Sequence, residues 1–388
     1  MRKRARSRQA TTSPGREQKS RCGGLALGLQ MRGPTVQYCK FRSGKAHKEG
    51  PTKWTVKEFI MMTLLRTTRT RAGVLPTRSI MARPSTINSV SLAARRAMST
   101  AIVDEDPHIE PSDFTESFLN VVKDDLPLAT CPAKSSALLR RLVQSELLRF
   151  TDMRDNPEKF FLAHRLLSSV GLNGFGVRFT VQFNLFAGSI LGLGGSEQVA
   201  LLDEYQRNGD LGCFLLTEMQ AGVLSGLIVE TTCDWCPTTG SFILHTPSDS
   251  AAKNWISQGF VAERGVVIAD LRVGGVSHGP HAFLMRLRDG QGGELLPGIR
   301  IEDMGHKTIA NDLDNARVWF DQVKLPRSAL LNKFADIDAR KGEYVQVGEE
   351  RMRIEVIGQR LLTGRVAIAE AALVSARALH LRTGKRCT

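Results

Sequence analysis

No stretch of this chain reaches 18 consecutive apolar residues, so no membrane-spanning helix is expected, and the best candidate, Phe59 to Leu65, is too short. The seven cysteines (Cys22, Cys39, Cys131, Cys213, Cys233, Cys236 and Cys387) are scattered and odd in number. That pattern offers no disulfide framework and points to a reducing compartment. Cys233-Asp234-Trp235-Cys236 is one close pair, but no second such pair and no histidines at zinc spacing accompany it. It is expected to be a chance pair in a β-turn. His278, His281 and His306 also lack ligand spacing, so no metal site is expected. Gly192-Leu193-Gly194-Gly195 neither follows a strand pattern nor opens a lysine-bearing helix, which leaves no dinucleotide or P-loop fingerprint.

Charge of one sign is scarce where it matters. The 388 residues carry a formal net charge of +14. Residues 1–103 hold 22 Lys or Arg against three acids (Glu17, Glu49 and Glu58), which leaves the rest of the chain mildly acidic. A chain basic throughout would suggest nucleic acid or a membrane surface. A basic segment ahead of an acidic body instead suggests a leader, rich in Arg, Ser and Thr as organellar transit segments are. Met81 to Ser99, with Arg83, Arg95 and Arg96 among small residues, fits that type best, and Met81 or Met98 could serve as an internal start. The bland alternative is a non-functional disordered extension.

Three zones follow. Residues 104–210 read as a helical domain: Leu138, Leu139, Leu142, Val143, Leu147 and Leu148 recur at helical spacing, and Phe160, Phe161, Leu166 and Leu167 start another apolar face. In 211–335 the period becomes two. Ser241 to His245, Val266 to Val273, His281 to Leu287 and Ala316 to Val323 read as strands separated by turn residues, which argues for an antiparallel sandwich or barrel. In 336–388 the helical period returns from about residue 347, with Ile354, Ile357, Leu361, Leu362, Val366, Ala369 and Leu373 along one face of a long helix. One helix cannot bury its own apolar face, so this third zone reads as the start of a larger helical domain.

Two short segments carry the most chemistry. Leu216-Thr217-Glu218 and Lys253-Asn254-Trp255-Ile256-Ser257-Gln258-Gly259 both read as turns between strands. The first offers a hydroxyl; the second offers a flat indole, a small hydroxyl two residues on, and a glycine that would let a ligand approach the backbone. A planar heteroaromatic ligand edged with hydrogen-bonding atoms needs that combination.

The pair resembles the flavin-contacting segments of the acyl-CoA dehydrogenase and acyl-CoA oxidase superfamily, whose domain order is helical, then β, then helical. The resemblance covers about residues 113–388. It extends through Gly212-Cys213-Phe214-Leu215, Glu230-Thr231-Thr232, Phe242 to Pro247, Gly279 to Leu284, Pro297 to Gly305, Leu313-Asp314-Asn315, Val318-Trp319-Phe320 and Leu325-Pro326-Arg327. Several of these look more like the oxidase branch. The fold implied is α+β and acyl-CoA dehydrogenase-like: an N-terminal helical domain, a central antiparallel β-barrel or sandwich, and the start of a C-terminal helical domain. The cofactor implied is FAD. Carried over residue by residue, Thr217 should hydrogen-bond the flavin, Trp255 should pack against the isoalloxazine, and Ser257 should reach the ring near its reactive nitrogen. Such donors stabilise the negative charge that reduction builds on the ring. The family pattern is departed from at Met219-Gln220 and Val223, and Ser257 matches the dehydrogenases rather than the oxidases.

The resemblance implies α,β-desaturation of acyl-CoA to trans-2-enoyl-CoA with O2 reduced to hydrogen peroxide. It further implies a homodimer and a peroxisomal location, although the leader hints at mitochondria. The chemistry needs a carboxylate to take the α-proton. Where some members carry it before an Arg, this chain has Gln359 followed by Arg360, and Glu349, Glu350 and Glu355 read as solvated helix charges. No catalytic base is therefore assigned, and the base is expected in a C-terminal part that this chain lacks. Three alternatives remain: an acyl-CoA dehydrogenase, a non-catalytic fragment that associates with full-length subunits, and a nucleic-acid binder acting through the leader. Of these the last is the least favoured, and no nucleic-acid partner is expected of the body.

Overall fold

The computed structural model describes residues 112–384 apart from Leu172, Val223, Leu224 and Glu350. The leader, its candidate start sites and Cys22, Cys39 and Cys387 lie outside the described residues.

Five helices, broken by short turns, lead into the β region. Helix α1 (Asp113–Val122) starts at Ser112, whose hydroxyl accepts from the Thr115 N–H at 3.2 Å, and buries Phe118 and Val122. Helices α2 (Pro132–Gln144) and α3 (Pro157–Val170) each place proline in the first turn, where the missing N–H has no intrahelical partner to lose. Helix α2 stops before Leu147 and Leu148, so the apolar run expected to be one face is a helix plus a returning turn. A single turn, Asp152–Asp155, separates the two. Helix α4 (Gly174–Thr180) passes into a π-helical stretch, Val181–Ala187, and then Gly188–Leu193. Helix α5 (Ser196–Asn208) ends at Gly209, whose φ of +70° needs glycine. Phe118, Phe160, Phe179 and Phe183 cluster at the centre, the Phe160 and Phe179 rings nearly parallel at 5.6 Å and Phe118 edge-on to Phe179.

The β region is a sandwich of two sheets. The first contains β1 (Gly212–Leu215), β2 (Thr232–Cys236), β3 (Ser241–His245), β5 (Arg264–Val273), β6 (Val276–Arg286) and β9 (Val323–Pro326). The second is β4 (Lys253–Ser257), β8 (Asn315–Phe320) and β7 (Ile299–Asp303). Leu215, Val267, Leu271 and Phe283 of one face Ile256, Val318 and Phe320 of the other in a single apolar cluster.

The expectation of an antiparallel sheet needs correction, because the first sheet is mixed. Strands β1 and β2 lie end to end along one edge of β5 and both run parallel to it, Gly212 opposite Arg264 and Thr232 opposite Asp270. Strand β6 takes the other edge antiparallel. The connection from Leu216 to Thr231 carries the chain forward rather than back, and a two-residue period does not record strand direction.

A hairpin of β10 (Ala335–Ile337) and β11 (Tyr344–Gln346) precedes the long helix α6 (Arg351–Gly384). The face that α6 packs is not the one expected. Arg353, Ile357, Gly364, Ala367, Ala371, Val374 and Ala378 are buried, whereas Ile354, Leu362 and Leu373 are exposed. Small residues let the helix approach α3 and α4 closely: Gly364 sits against Asn184 and Thr180, and Ser375 donates to the Ser168 carbonyl. Arg165 of α3 pairs with Glu370 at 3.3 Å.

Candidate functional site

At the end of β1 the chain turns along the start of β4, and backbone bonds zip the two together. The Asn254 N–H donates to the Thr217 carbonyl at 2.8 Å and the Met219 N–H to the Ala252 carbonyl at 2.9 Å. Lys253 and Glu218 face each other across this ladder, both side chains wholly buried. The Lys253 ammonium donates to Glu218 Oε1 at 2.9 Å and to the carbonyls of Ile268 and Leu216 at 2.7 and 3.3 Å. The Glu218 carboxylate also accepts from the Glu230 and Thr231 N–H groups at 2.8 and 3.0 Å. Three acceptors for the ammonium and three donors for the carboxylate are what a buried pair needs to offset its desolvation. Burial nevertheless pushes the Lys253 pKa down to about 8. Sequence reasoning missed this clamp; its signal was one charge of each sign, bracketing the two motifs.

The second segment is a strand, not the turn expected from its composition. Lys253 and Ile256 point into the sandwich, and between them the register with β8 slips. Trp255 takes φ +59° and Gln258 φ +68°, left-handed conformations that cost a residue with a side chain about 1 kcal/mol or more. The bulge turns the Trp255 ring outward, 55% exposed, with no stacked ring or cation against it among the described residues. Thr217 is exposed beside it, and its hydroxyl has no partner among the described residues. The Asn254 side-chain oxygen nearby is buried without a hydrogen bond. Ser257 is half-buried and accepts from the Asn315 amide at 3.2 Å. Thr217 and Trp255 are thus one hydrogen-bonded step apart, and Ser257 follows on the same strand.

Gly259 serves packing rather than the ligand approach expected of it, because a Cβ there would lie 2.6 Å from the Ala316 methyl. Behind the strand, a buried polar cluster joins the helical and β regions. Arg178, fully buried, pairs with Asp314 at 2.8 Å and donates to the Asp312 carbonyl and the Ser135 hydroxyl. Asp314 in turn accepts from the Phe260 N–H, and the Gln258 amide donates to the Gly212 carbonyl. The glutamine's left-handed backbone and the next turn are therefore held from inside.

The cysteine pair is corrected in detail. Both residues lie on β2, not in a turn, with Cys233 sealed in the core and Cys236 on the opposite face at the strand end. Burial pushes the Cys233 thiol up, while the Thr239 hydrogen bond lowers Cys236. His278 stacks on Tyr344, and burial brings His281 down to about 4. Gln359 is exposed, and the carboxylates of Glu349 and Glu355 are exposed on either side of Arg351, 3.0 and 3.5 Å from it. Glu350 lies outside the described residues.

No family model matches the chain. Over 169 residues it is 40% identical to the peroxisomal acyl-coenzyme A oxidase 3 of Arabidopsis thaliana, an alignment covering 43% of this chain and 24% of that protein. It is 30% identical over 277 residues to the peroxisomal acyl-coenzyme A oxidase 3 of Homo sapiens, covering 68% and 39% respectively. The crystal structure of acyl-CoA oxidase 3 from Yarrowia lipolytica superposes with a TM-score of 0.54 at 26% identity, over 72% of this chain and 38% of that one. The chain therefore spans between about a quarter and two fifths of the length of these relatives. By sequence and by fold, its body is related to the acyl-CoA oxidases and corresponds to a part of their length.

Proposed function

We propose that the chain is the flavin-facing part of an FAD-dependent acyl-CoA oxidase, one that converts acyl-CoA and O2 to trans-2-enoyl-CoA and hydrogen peroxide in fatty-acid β-oxidation. The observation that carries the reading is Trp255. A large indole held at positive φ and turned out to solvent costs strain and exposure, and such costs persist where a ligand or partner uses them. The residues around it fit an isoalloxazine: a free Thr217 hydroxyl, a buried Asn254 oxygen lacking a donor, and the Ser257 hydroxyl. FAD, when bound, would supply the hydride acceptor.

The protein's own residues then divide the work. Trp255 offers a flat apolar face. Thr217 and Ser257 offer donors to the polar edge of the ring, where fixed dipoles stabilise charge without reorganising. The Lys253–Glu218 pair holds the two segments together. We assign no base to take the α-proton: Gln359 is an amide, and Glu349 and Glu355 face solvent beside Arg351. The peroxisomal names of the relatives support a peroxisomal location, and the family resemblance implies a homodimer for the complete protein.

The test is FAD binding paired with turnover. The purified chain should bind FAD yet form no peroxide from palmitoyl-CoA. Failure to bind FAD would remove the flavin reading. Peroxide formation would return the search for a base to Glu349, Glu350 and Glu355.

A further inference from the structure

We propose that Asn315 is a positioning residue that fixes the Ser257 hydroxyl as a hydrogen-bond donor toward the flavin-facing surface; this rests on the flavin reading above. Strand pairing sets Ser257 opposite Asn315, and the Asn315 backbone is held by the Met304 N–H at 3.0 Å. The side-chain amide reaches two atoms at once, the Ser257 hydroxyl oxygen at 3.2 Å and the Trp255 carbonyl at 3.5 Å.

The second contact decides the first. A carbonyl oxygen can only accept, so the end of the amide facing it must be the NH2 group. That same NH2 therefore donates to Ser257, whose oxygen is an acceptor on its inner side. A serine hydroxyl has a single proton, and no described residue takes it. The proton is left for an acceptor on the outer side, where Trp255 and Thr217 lie. With a carboxylate in place of the amide, the proton would be drawn inward instead. Asn315 itself is nearly buried, and its neighbour Asp314 is anchored by Arg178, so the arrangement has little freedom to rotate.

The test is a double-mutant cycle on the full chain, with FAD as the probe. The dissociation constant and the thermal midpoint are measured for the wild type, Asn315→Asp, Ser257→Ala and the double variant. Asn315→Asp should weaken FAD binding about tenfold, as expected for one lost hydrogen bond to a polar ring edge, and make the bound flavin's midpoint potential more negative. In the Ser257→Ala background the same change should cost nothing further. Asn315→Ala, which removes the donor without adding charge, should show a smaller loss with the same dependence on Ser257, and serves if Asn315→Asp does not fold. Binding unchanged in Asn315→Asp, or an equal loss with and without the Ser257 hydroxyl, would overturn the proposal. A wild type that binds no FAD overturns the flavin reading itself, and is told apart because the loss precedes any substitution.

Discussion

Lys253→Met separates the two segments of the site at their base. The methionine keeps most of the apolar stem but removes the ammonium. Glu218 then stays buried with two backbone N–H donors, from Glu230 and Thr231, and no countercharge. Both side chains are fully buried, so water cannot take the missing role. Removing one member of a buried, hydrogen-bonded pair costs about 3–5 kcal/mol, a large share of the roughly 5–15 kcal/mol that holds a domain together. Urea unfolding followed by circular dichroism should show a loss of unfolding free energy of that size at neutral pH. A pH series gives the second reading. Lys253 titrates at about 8 in the folded chain and at about 10.4 when unfolded, so the unfolded chain binds more protons between those values. Its contribution is fully present above the unfolded value and is lost as pH falls through the folded one. The wild type should therefore gain on the variant by at most about 3 kcal/mol from pH 8 to 10.4. A cost under about 1 kcal/mol, with an identical gap at both pH values, would mean that the pair is solvated and clamps nothing.

Three further outcomes are expected. His164, buried among Phe160 and Phe179 with its Nε2 on the Thr180 hydroxyl at 2.8 Å, is lowered by burial to about 3. The unfolded chain binds its proton first, so stability should fall as pH drops from about 6.5 toward 3. In a His164→Phe variant that slope should be shallower in acid unfolding curves. Trp255→Gly relieves the left-handed backbone, so the thermal midpoint should hold or rise while FAD affinity is lost. Gly259→Ala forces a methyl against Ala316 and should cost about 1–3 kcal/mol in urea unfolding.

The order of helical and β zones was legible because period is a local property. Strand direction was not: β1 and β2 both run parallel to β5, and that follows from the path between them, which a local pattern does not record. Strand β4 hid because its bulge breaks alternation, placing Trp255 outward between the inward Lys253 and Ile256. Helix α6 misled for the opposite reason. Its packed face holds Gly364, Ala367, Ala371 and Ala378 beside Arg353, Ile357 and Val374, and the weak hydrophobicity of the small residues is outweighed in the sequence by the exposed Leu362, Leu373 and Leu379. At the site, Thr217, Trp255 and Ser257 could be named from motif resemblance. The Lys253–Glu218 clamp and the Asn315 contact could not, since each depends on register between strands far apart in sequence.

Titration of FAD with the chain, read by flavin fluorescence, tests the central claim most directly, because an indole stacked on the ring should quench it. Quenching is expected with the wild type and should be largely lost in Trp255→Leu at matched occupancy. Equal quenching in both proteins would contradict the assignment of this surface to the flavin.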